Sequence, residues 1–145
     1  MSFFAGFADE IIKLAFKVPS MGDAHEFERS GYVYDVFKLW DLVKDLPIHD
    51  FDLEGPEASE YMESTNWTGG RTPTQILGSK DNEHGHLDRI RASDLKYPIL
   101  LAPDKGVADG MHRLAKAVSE KRKSIKARKL TWKAMEPALV RKPNS

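Results

Sequence analysis

The residues best suited to chemistry are five consecutive ones, Asp109, Gly110, Met111, His112 and Arg113. An apolar stripe with the spacing of one helix face begins at Met111. We therefore predict that Asp109 caps a helix and that Gly110 gives the backbone freedom to turn into it. Cations are unfavourable in the first turn of a helix, where the dipole is positive, unless an anion lies among them. The sequence thus predicts a phosphate site at the helix start, gripped by N–H groups, His112 and Arg113.

A purely structural interpretation of the same motif stays open. In that interpretation Asp109 is only a cap, His112 packs against other side chains, and Arg113 points to solvent. Short motifs match by chance often enough that the motif alone does not decide between the two. The surrounding elements are what favour the phosphate site.

Those surrounding elements come in a specific order. A strand rich in apolar residues, Tyr97–Ala102, is followed by a tight hairpin at Asp104–Gly106, the motif with its helix, and a further strand, Ser124–Arg128. This order resembles the ParB/sulfiredoxin-like superfamily over about residues 85–131. The resemblance implies an α/β (α+β) fold, with a small mixed sheet surrounded by helices.

The resemblance also implies nucleotide binding at the motif. The backbone N–H groups of Gly110, Met111 and His112 would hold the phosphates, and Arg113 would add positive charge. Asp109 would shape the turn or hold a metal ion. The implied cofactor is a nucleoside triphosphate or diphosphate (ATP, ADP or CTP) with Mg²⁺ carried by its phosphates.

Two functions are compatible with that site. In the first, the protein hydrolyses a nucleoside triphosphate or transfers its phosphoryl group, and His112 donates to a phosphate oxygen in the transition state. Family kinases take a carboxylate from the N-terminal half, which makes Asp50, Asp52 and Glu54 candidates here, although acidic residues at a strand end are commonly just solvated. In the alternative, the chain is a non-catalytic nucleotide switch associated with DNA or a partner protein.

A long loop predicted over residues 64–83 is a second candidate region. Trp67, the adjacent Gly69 and Gly70, and Arg71 would suit a lid over a nucleotide, with Arg71 contacting phosphate. A poorly ordered surface loop explains the same composition equally well. The segment is not a Walker motif, because the spacing differs and no Lys-Ser/Thr pair follows.

The histidines raise the question of a metal site. The candidate ligands are His84, His86 and His112. Zinc needs three or four ligands in suitable geometry, and a His-x-His pair alone is unspecific. We therefore predict no metal that is held by protein ligands alone.

Composition limits the chemistry further. The chain has 145 residues and no cysteine, which excludes disulfides, thiolate metal sites and cysteine nucleophiles. The sulfiredoxin reaction is excluded as well, because Met111 stands where that family has its catalytic cysteine. No apolar run is long enough to cross a bilayer, and acidic residues interrupt the apolar N-terminal segment. We expect a cytoplasmic protein without membrane contact.

Charge is segregated along the chain although the formal net charge is zero. Acidic residues dominate 9–63, and basic residues dominate 113–142. A basic end of this kind can attract DNA, whereas cations near a helix C-terminus are also explained by the helix dipole. No segment has the length or pattern of a helix-turn-helix, so we expect no sequence-specific recognition of DNA.

We predict a single domain over residues 1–145, with an N-terminal helical extension in 1–31, a core in 32–131 and a C-terminal tail in 132–145. Within the extension, an amphipathic helix over 2–17 would dock on the core or mediate a homodimer, and 19–31 would be a connection. The other predicted elements are strands at 32–37, 48–53, 97–102 and 124–128 and helices at 38–44, 56–63, 84–95 and from 110 onward.

Overall fold

A computed structural model describes residues 26–65, 70–79, 82 and 85–144. The helix predicted over 2–17, together with Trp67, Gly69 and His84, lies outside the described residues. The described elements are β1 (Glu26–Arg29), β2 (Tyr32–Asp35), α1 (Val36–Leu42), β3 (His49–Asp52), α2 (Pro56–Met62), α3 (Pro73–Leu77), α4 (His86–Ala92), β4 (Ile99–Leu101), β5 (Val107–Asp109), α5 (Met111–Ser119), β6 (Ser124–Lys129), α6 (Trp132–Met135), a 3₁₀ helix (Glu136–Ala138) and β7 (Leu139–Arg141).

The predicted mixed α/β class is confirmed. Among the described residues, helices accompany a three-stranded sheet in the order β1-β2-β7 and a four-stranded sheet in the order β3-β6-β4-β5. Residues up to Leu42 and from Met135 onward form one compact unit, and Val43–Ala134 form another. The single domain stays a prediction. No helix among the described residues is long and apolar enough to cross a membrane.

The first unit corrects the prediction for residues 26–37. β1 lies where a connection was expected. The strand was missed because a single apolar residue, Phe27, is too weak a signal. Phe27 is nevertheless buried against Tyr34 of β2. The strand predicted to reach residue 37 ends at Asp35, whose Oδ1 accepts the backbone N–H of Phe37 at 2.9 Å. That hydrogen bond favours the start of α1 over continuation of the strand.

The predicted C-terminal tail contains regular secondary structure. Met135 is fully buried, whereas Trp132 is 45% exposed and Val140 is 50% exposed. Arg141 belongs to β7, and its guanidinium contacts the carboxylate of Glu26 at 2.9 Å. Pairing with β2 orders this part of the tail. A strand of only three residues has too few positions for its alternation to be recognised in the sequence.

β6 is the central strand of the second unit. It pairs antiparallel with β3 and parallel with β4, which in turn pairs antiparallel with β5. Ile125 and Ala127 are buried on one face of this strand. Arg128 is half-buried because its guanidinium donates to the carbonyls of Leu46 and Lys44 at 3.1 and 3.2 Å.

The helices of this unit share one apolar core with the sheet. Tyr61 and Met62 of α2 are buried, and Leu114 of α5 is fully buried in the same cluster. Ala115 and Ala117 are also fully buried, so small side chains on α5 allow it to approach the neighbouring elements closely.

α3 was missed by the prediction of a long loop over 64–83. The Thr72 hydroxyl accepts the N–H of Gln75, and the Gln75 side chain accepts the N–H of Thr72, which forms a complete capping box. Pro73 at the first helical position adds to the same signal. The sequence Thr-Pro-Thr-Gln therefore marked this helix start.

Lys116 connects the two helices that carry the candidate site. From α5, its Nζ donates to the carbonyls of Arg91 and Ser93, at 2.9 and 2.7 Å, at the C-terminal end of α4. These carbonyls lack partners within a helix, and the dipole is negative there, so an ammonium group satisfies both needs. Lys116 thereby fixes the end of α4 against α5.

Replacing this ammonium group should destabilise the protein. Lys116→Met keeps the apolar stem but removes two charge-assisted hydrogen bonds, so the free energy of unfolding should fall by about 1–2 kcal/mol. Urea unfolding measures the difference. Lys133→Met on α6 is the matched control: Lys133 is exposed, and its replacement should change stability by less than about 0.5 kcal/mol. Equal effects of the two substitutions would contradict the role given to Lys116.

Candidate functional site

Gly110 sets the start of α5. Its φ of 112° is in the left-handed region, and it is the N-cap residue of the helix. A Cβ there would lie 2.7 Å from Cγ2 of Ile99 and 3.0 Å from the guanidinium of Arg113. Both the backbone angle and the space therefore require glycine. The cap prediction for Asp109 was wrong, since Asp109 is the last residue of β5 and α5 has no side-chain cap.

Arg113 lies largely inside the protein and contacts it on two sides. Its guanidinium donates to the carbonyl of Pro98 at 3.3 Å and lies 3.7 Å from the carboxylate of Asp109. The side chain of Arg113 is only 11% exposed and that of Asp109 is 22% exposed. The predicted phosphate ligand Arg113 therefore has a structural role: it joins the first turn of α5 to β4 and β5.

A pair of histidines lies at the starts of α4 and α5. Nδ1 of His86 and Nε2 of His112 are 3.2 Å apart, which is hydrogen-bonding distance. The two rings are stacked, with centroids 5.4 Å apart and planes inclined by 29°. The two residues are 26 positions apart in sequence. The sequence marked both only as candidate metal ligands, and the packing of α4 on α5 brings them together.

The electrostatic field at this pair is positive. Burial has the largest effect on the pKa of His112; together with the charges of Arg89, His86 and Arg113, in that order, it lowers this pKa from 6.5 to about 3. The Arg89 guanidinium carbon lies 3.9 Å from where a Cβ of Gly85 would be, which places the charge beside the start of α4. His112 is therefore neutral at pH 7.

A neutral pair has a defined hydrogen-bonding capacity. One ring donates its N–H to the other across the 3.2 Å contact. Two neutral imidazoles then have one N–H and one lone pair at their outer nitrogens. If the pair takes up a proton, both outer nitrogens become donors. The neutral pair therefore suits an anion that carries one proton, and the protonated pair suits an anion that carries none.

The acidic candidates are not brought to this site. Asp52 is on β3 and Asp109 is on β5, the two edge strands of the four-stranded sheet. Asp52 pairs with Ser124 of β6, and Asp109 is linked through Leu100 of β4 to Arg128, four residues further along β6. Three spacings between strands and four residues along a strand place the two Cα atoms roughly 20 Å apart. The carboxylate of Asp52 instead accepts the N–H of Glu54 at 2.8 Å. The carboxylate of Asp52 therefore does not reach the motif. The carboxylate of Asp50 contacts Lys126.

The remaining predicted ligands lie in the same helical layer. Met111 is the first residue of α5, and its side chain packs on the apolar core, so only its backbone N–H is suited to an anion. Arg71 precedes α3, which packs against both α4 and α5. Its contact with phosphate stays a prediction. Within the described residues no group of three or more His, Cys, Asp or Glu is arranged to hold a metal ion.

The contact between Gly110 and Ile99 can be tested by adding one methyl group. Gly110→Ala places a Cβ in the left-handed region and against Ile99, so the free energy of unfolding should fall by roughly 2 kcal/mol or more. Gly78→Ala is the control. Gly78 has a φ of −86° and ordinary space for a Cβ, and alanine there should leave stability unchanged or raise it by up to about 1 kcal/mol. Urea unfolding at pH 7 compares the two variants.

Burial of neutral His112 should also make stability depend on pH. The folded-state pKa is below the ordinary 6.5, so the unfolded chain binds the proton more readily. The stabilising contribution is complete above about pH 6.5 and is lost as pH falls towards about 3. Its slope can reach about 1.4 kcal/mol per pH unit.

His112→Gln removes this titration. Between pH 7 and pH 4, the variant should therefore lose less stability than the wild type in urea unfolding. His49→Gln, at an exposed position on β3, should follow the wild-type curve. Parallel curves for His112→Gln and the wild type would show that His112 is not buried in the neutral form.

The site has to be interpreted from its own geometry. No family model, no curated protein and no solved structure matches this chain. The likeness to ParB/sulfiredoxin-like proteins accordingly rests on the motif and on the order of the elements around it.

Proposed function

We propose that this chain is a nucleotide-phosphate-binding protein of the ParB/sulfiredoxin-like type, with its phosphate site at the start of α5. The observation that carries the proposal is the stacked His86–His112 pair beside Arg89. Among the described residues, the neighbouring side chains that affect the pKa of His112, which are Arg89, His86 and Arg113, all lower it. A bound anion would therefore be attracted by the field of the folded protein.

The backbone at this point supports the same ligand. The first intrahelical hydrogen bond of α5 runs from the N–H of Leu114 to the carbonyl of Gly110. The N–H groups of the three preceding residues point out of the helix start, where phosphate is commonly held. In this arrangement His112 and Arg89 supply the side-chain donors, and Arg113 holds the turn in place.

The order of elements is consistent with the proposed type. β4, a hairpin turn, β5, the Gly-x-His-Arg motif, α5 and β6 follow one another, and β4 and β6 are parallel neighbours. This is the arrangement that the resemblance implies for residues 85–131. It supports a nucleotide with Mg²⁺ as the ligand and cofactor.

Binding is better supported than catalysis. Hydrolysis or phosphoryl transfer needs a group that orients or deprotonates the nucleophile. The carboxylates of Asp52 and Glu54 belong to the opposite edge of the sheet, and the carboxylate of Asp109 contacts Arg113. A nucleotide-binding switch that acts on a partner therefore fits these contacts better than a kinase or a nucleoside triphosphate hydrolase.

Association with DNA through the basic C-terminal region has weaker support. Several cations of that region already contact groups of the same chain: Arg122 contacts Glu120, Lys126 contacts Asp50, and Arg128 contacts two carbonyls. These contacts reduce the charge available to neutralise backbone phosphates.

A thermal-shift screen tests the phosphate site. ATP, ADP, CTP, GTP and pyrophosphate are each added with Mg²⁺ to the wild type, to Arg89→Gln and to Arg91→Gln. A ligand at about one hundred times its Kd stabilises the native state by roughly 2.7 kcal/mol, which is readily visible as a rise in Tm. We expect at least one nucleotide to raise the Tm of the wild type.

The two arginine variants show where that ligand binds. Arg89 acts on His112, whereas Arg91 is 73% exposed on the same short helix and contacts Asp88. The shift should be lost in Arg89→Gln and kept in Arg91→Gln. No shift with any of the five compounds, or equal loss in both variants, would overturn the proposal.

A further inference from the structure

The contact between α4 and α5 contains two imidazoles, which are groups that take up protons near neutral pH. We propose that acid opens α4: below about pH 6, proton uptake by His86 and His112 releases this helix from α5 while the sheet of the same unit stays folded. The inference concerns the free protein and does not depend on the phosphate site. It follows from the number of hydrogens that the two rings can hold before and after they separate.

The facing nitrogens of the pair limit how many protons the closed state can hold. Nδ1 of His86 and Nε2 of His112 are 3.2 Å apart, which leaves room for a single hydrogen between them. Because each outer nitrogen carries at most one hydrogen, the closed pair can take up no more than one proton beyond two neutral imidazoles. This limit is set by the facing nitrogens and holds whatever the outer nitrogens contact.

The open state has no such limit. Once α4 leaves α5, both rings lie in water, and each imidazole can take up its own proton with an ordinary pKa of about 6.5. Below this pH the open state therefore binds at least one proton more than the closed state. By linkage, the equilibrium constant for opening should rise about tenfold for each pH unit of acidification below about pH 6.

The described charges around the pair act in the same direction. Burial has the largest effect on the pKa of His112, and the charges of Arg89 on α4 and Arg113 on α5 lower this pKa further. From β5, the carboxylate of Asp109 lies 3.7 Å from Arg113. Further along α5, Lys116 contacts carbonyls at the end of α4, and α3 has no titratable side chain. In the closed state, burial and the two arginines therefore disfavour even the first proton.

α4 can open without unfolding the sheet. It packs mainly against α5 and α3 and belongs to neither sheet. Its buried side chains are those of Leu87 and Ile90, and on its exposed side Asp88 contacts Arg91 of the same helix. Because its opening exposes only a small part of the apolar core, it requires less free energy than global unfolding.

Hydrogen exchange of the free wild type tests the inference. Exchange of the hydrogen-bonded N–H groups in the last turn of α4 and in β6 is followed by NMR between about pH 4.5 and pH 7.5, and each rate is divided by the intrinsic chemical rate at that pH. The opening constant obtained in this way should be at least about tenfold larger for α4 than for β6. Below about pH 6, the opening constant of α4 should rise about tenfold per pH unit.

A variant with one imidazole removed tests whether the pair is responsible. His112→Gln places an amide near the position of Nε2, and an amide can either donate to His86 or accept from it. The ring of His86 can then take up its proton without losing the contact, so most of the rise in the opening constant of α4 should disappear. His49→Gln, at an exposed position on β3, should keep the wild-type dependence.

Three results would overturn the inference, and the first two need only the wild type. Equal opening constants for α4 and β6 would mean that the imidazoles separate only when the whole unit unfolds. An opening constant of α4 that does not change with pH, or that rises equally in His112→Gln and in the wild type, would mean that the pair does not control this helix. These measurements use no ligand, so their outcome is independent of the thermal-shift screen with nucleotides.

Discussion

The backbone of Gly110 lies against the side chain of Ile99, with no room for a Cβ between them. This contact, together with the left-handed conformation of Gly110, fixes where β5 ends and α5 begins. The position of the helix start determines the direction in which its next residues point. His112 consequently meets His86, and Arg113 turns inward to the carbonyl of Pro98. The arrangement of the whole candidate site depends on this one close approach.

The phosphate interpretation of the motif stays a prediction, and the purely structural interpretation holds only in part. Arg113 is a packed residue, since its guanidinium contacts a carbonyl and a carboxylate of the same chain. His112 is packed as well, but against another imidazole and in a positive field, which is an unusual environment for a residue that only fills space. Arg89, the charge with the largest effect on the pKa of His112, comes from α4 and not from the motif.

Sequence alone predicted the elements with a strong periodic pattern. α5 has several apolar residues at helical spacing, and β6 has two, Ile125 and Ala127, at the spacing of one strand face, so the type of both elements was predictable. β1 has a single apolar residue, and its burial depends on Tyr34 of the next strand. α3 was marked by Thr72 and Gln75, but its five residues lay inside a loop-like composition. The pairing of His86 with His112 follows only from tertiary packing, which local sequence does not encode.

The attachment of α4 through Lys116 has a consequence for motion. A helix of seven residues is too short to be stable alone, so α4 persists only while it is packed against its neighbours, α5 and α3. His86 and Arg89 both belong to α4. Local opening of this segment, which requires less free energy than unfolding the domain, would separate the imidazole pair and remove Arg89 at the same time. Release of a bound anion and transient unfolding of α4 would then be a single event. Its rate would depend on how often the two hydrogen bonds from Lys116 to the carbonyls of Arg91 and Ser93 break.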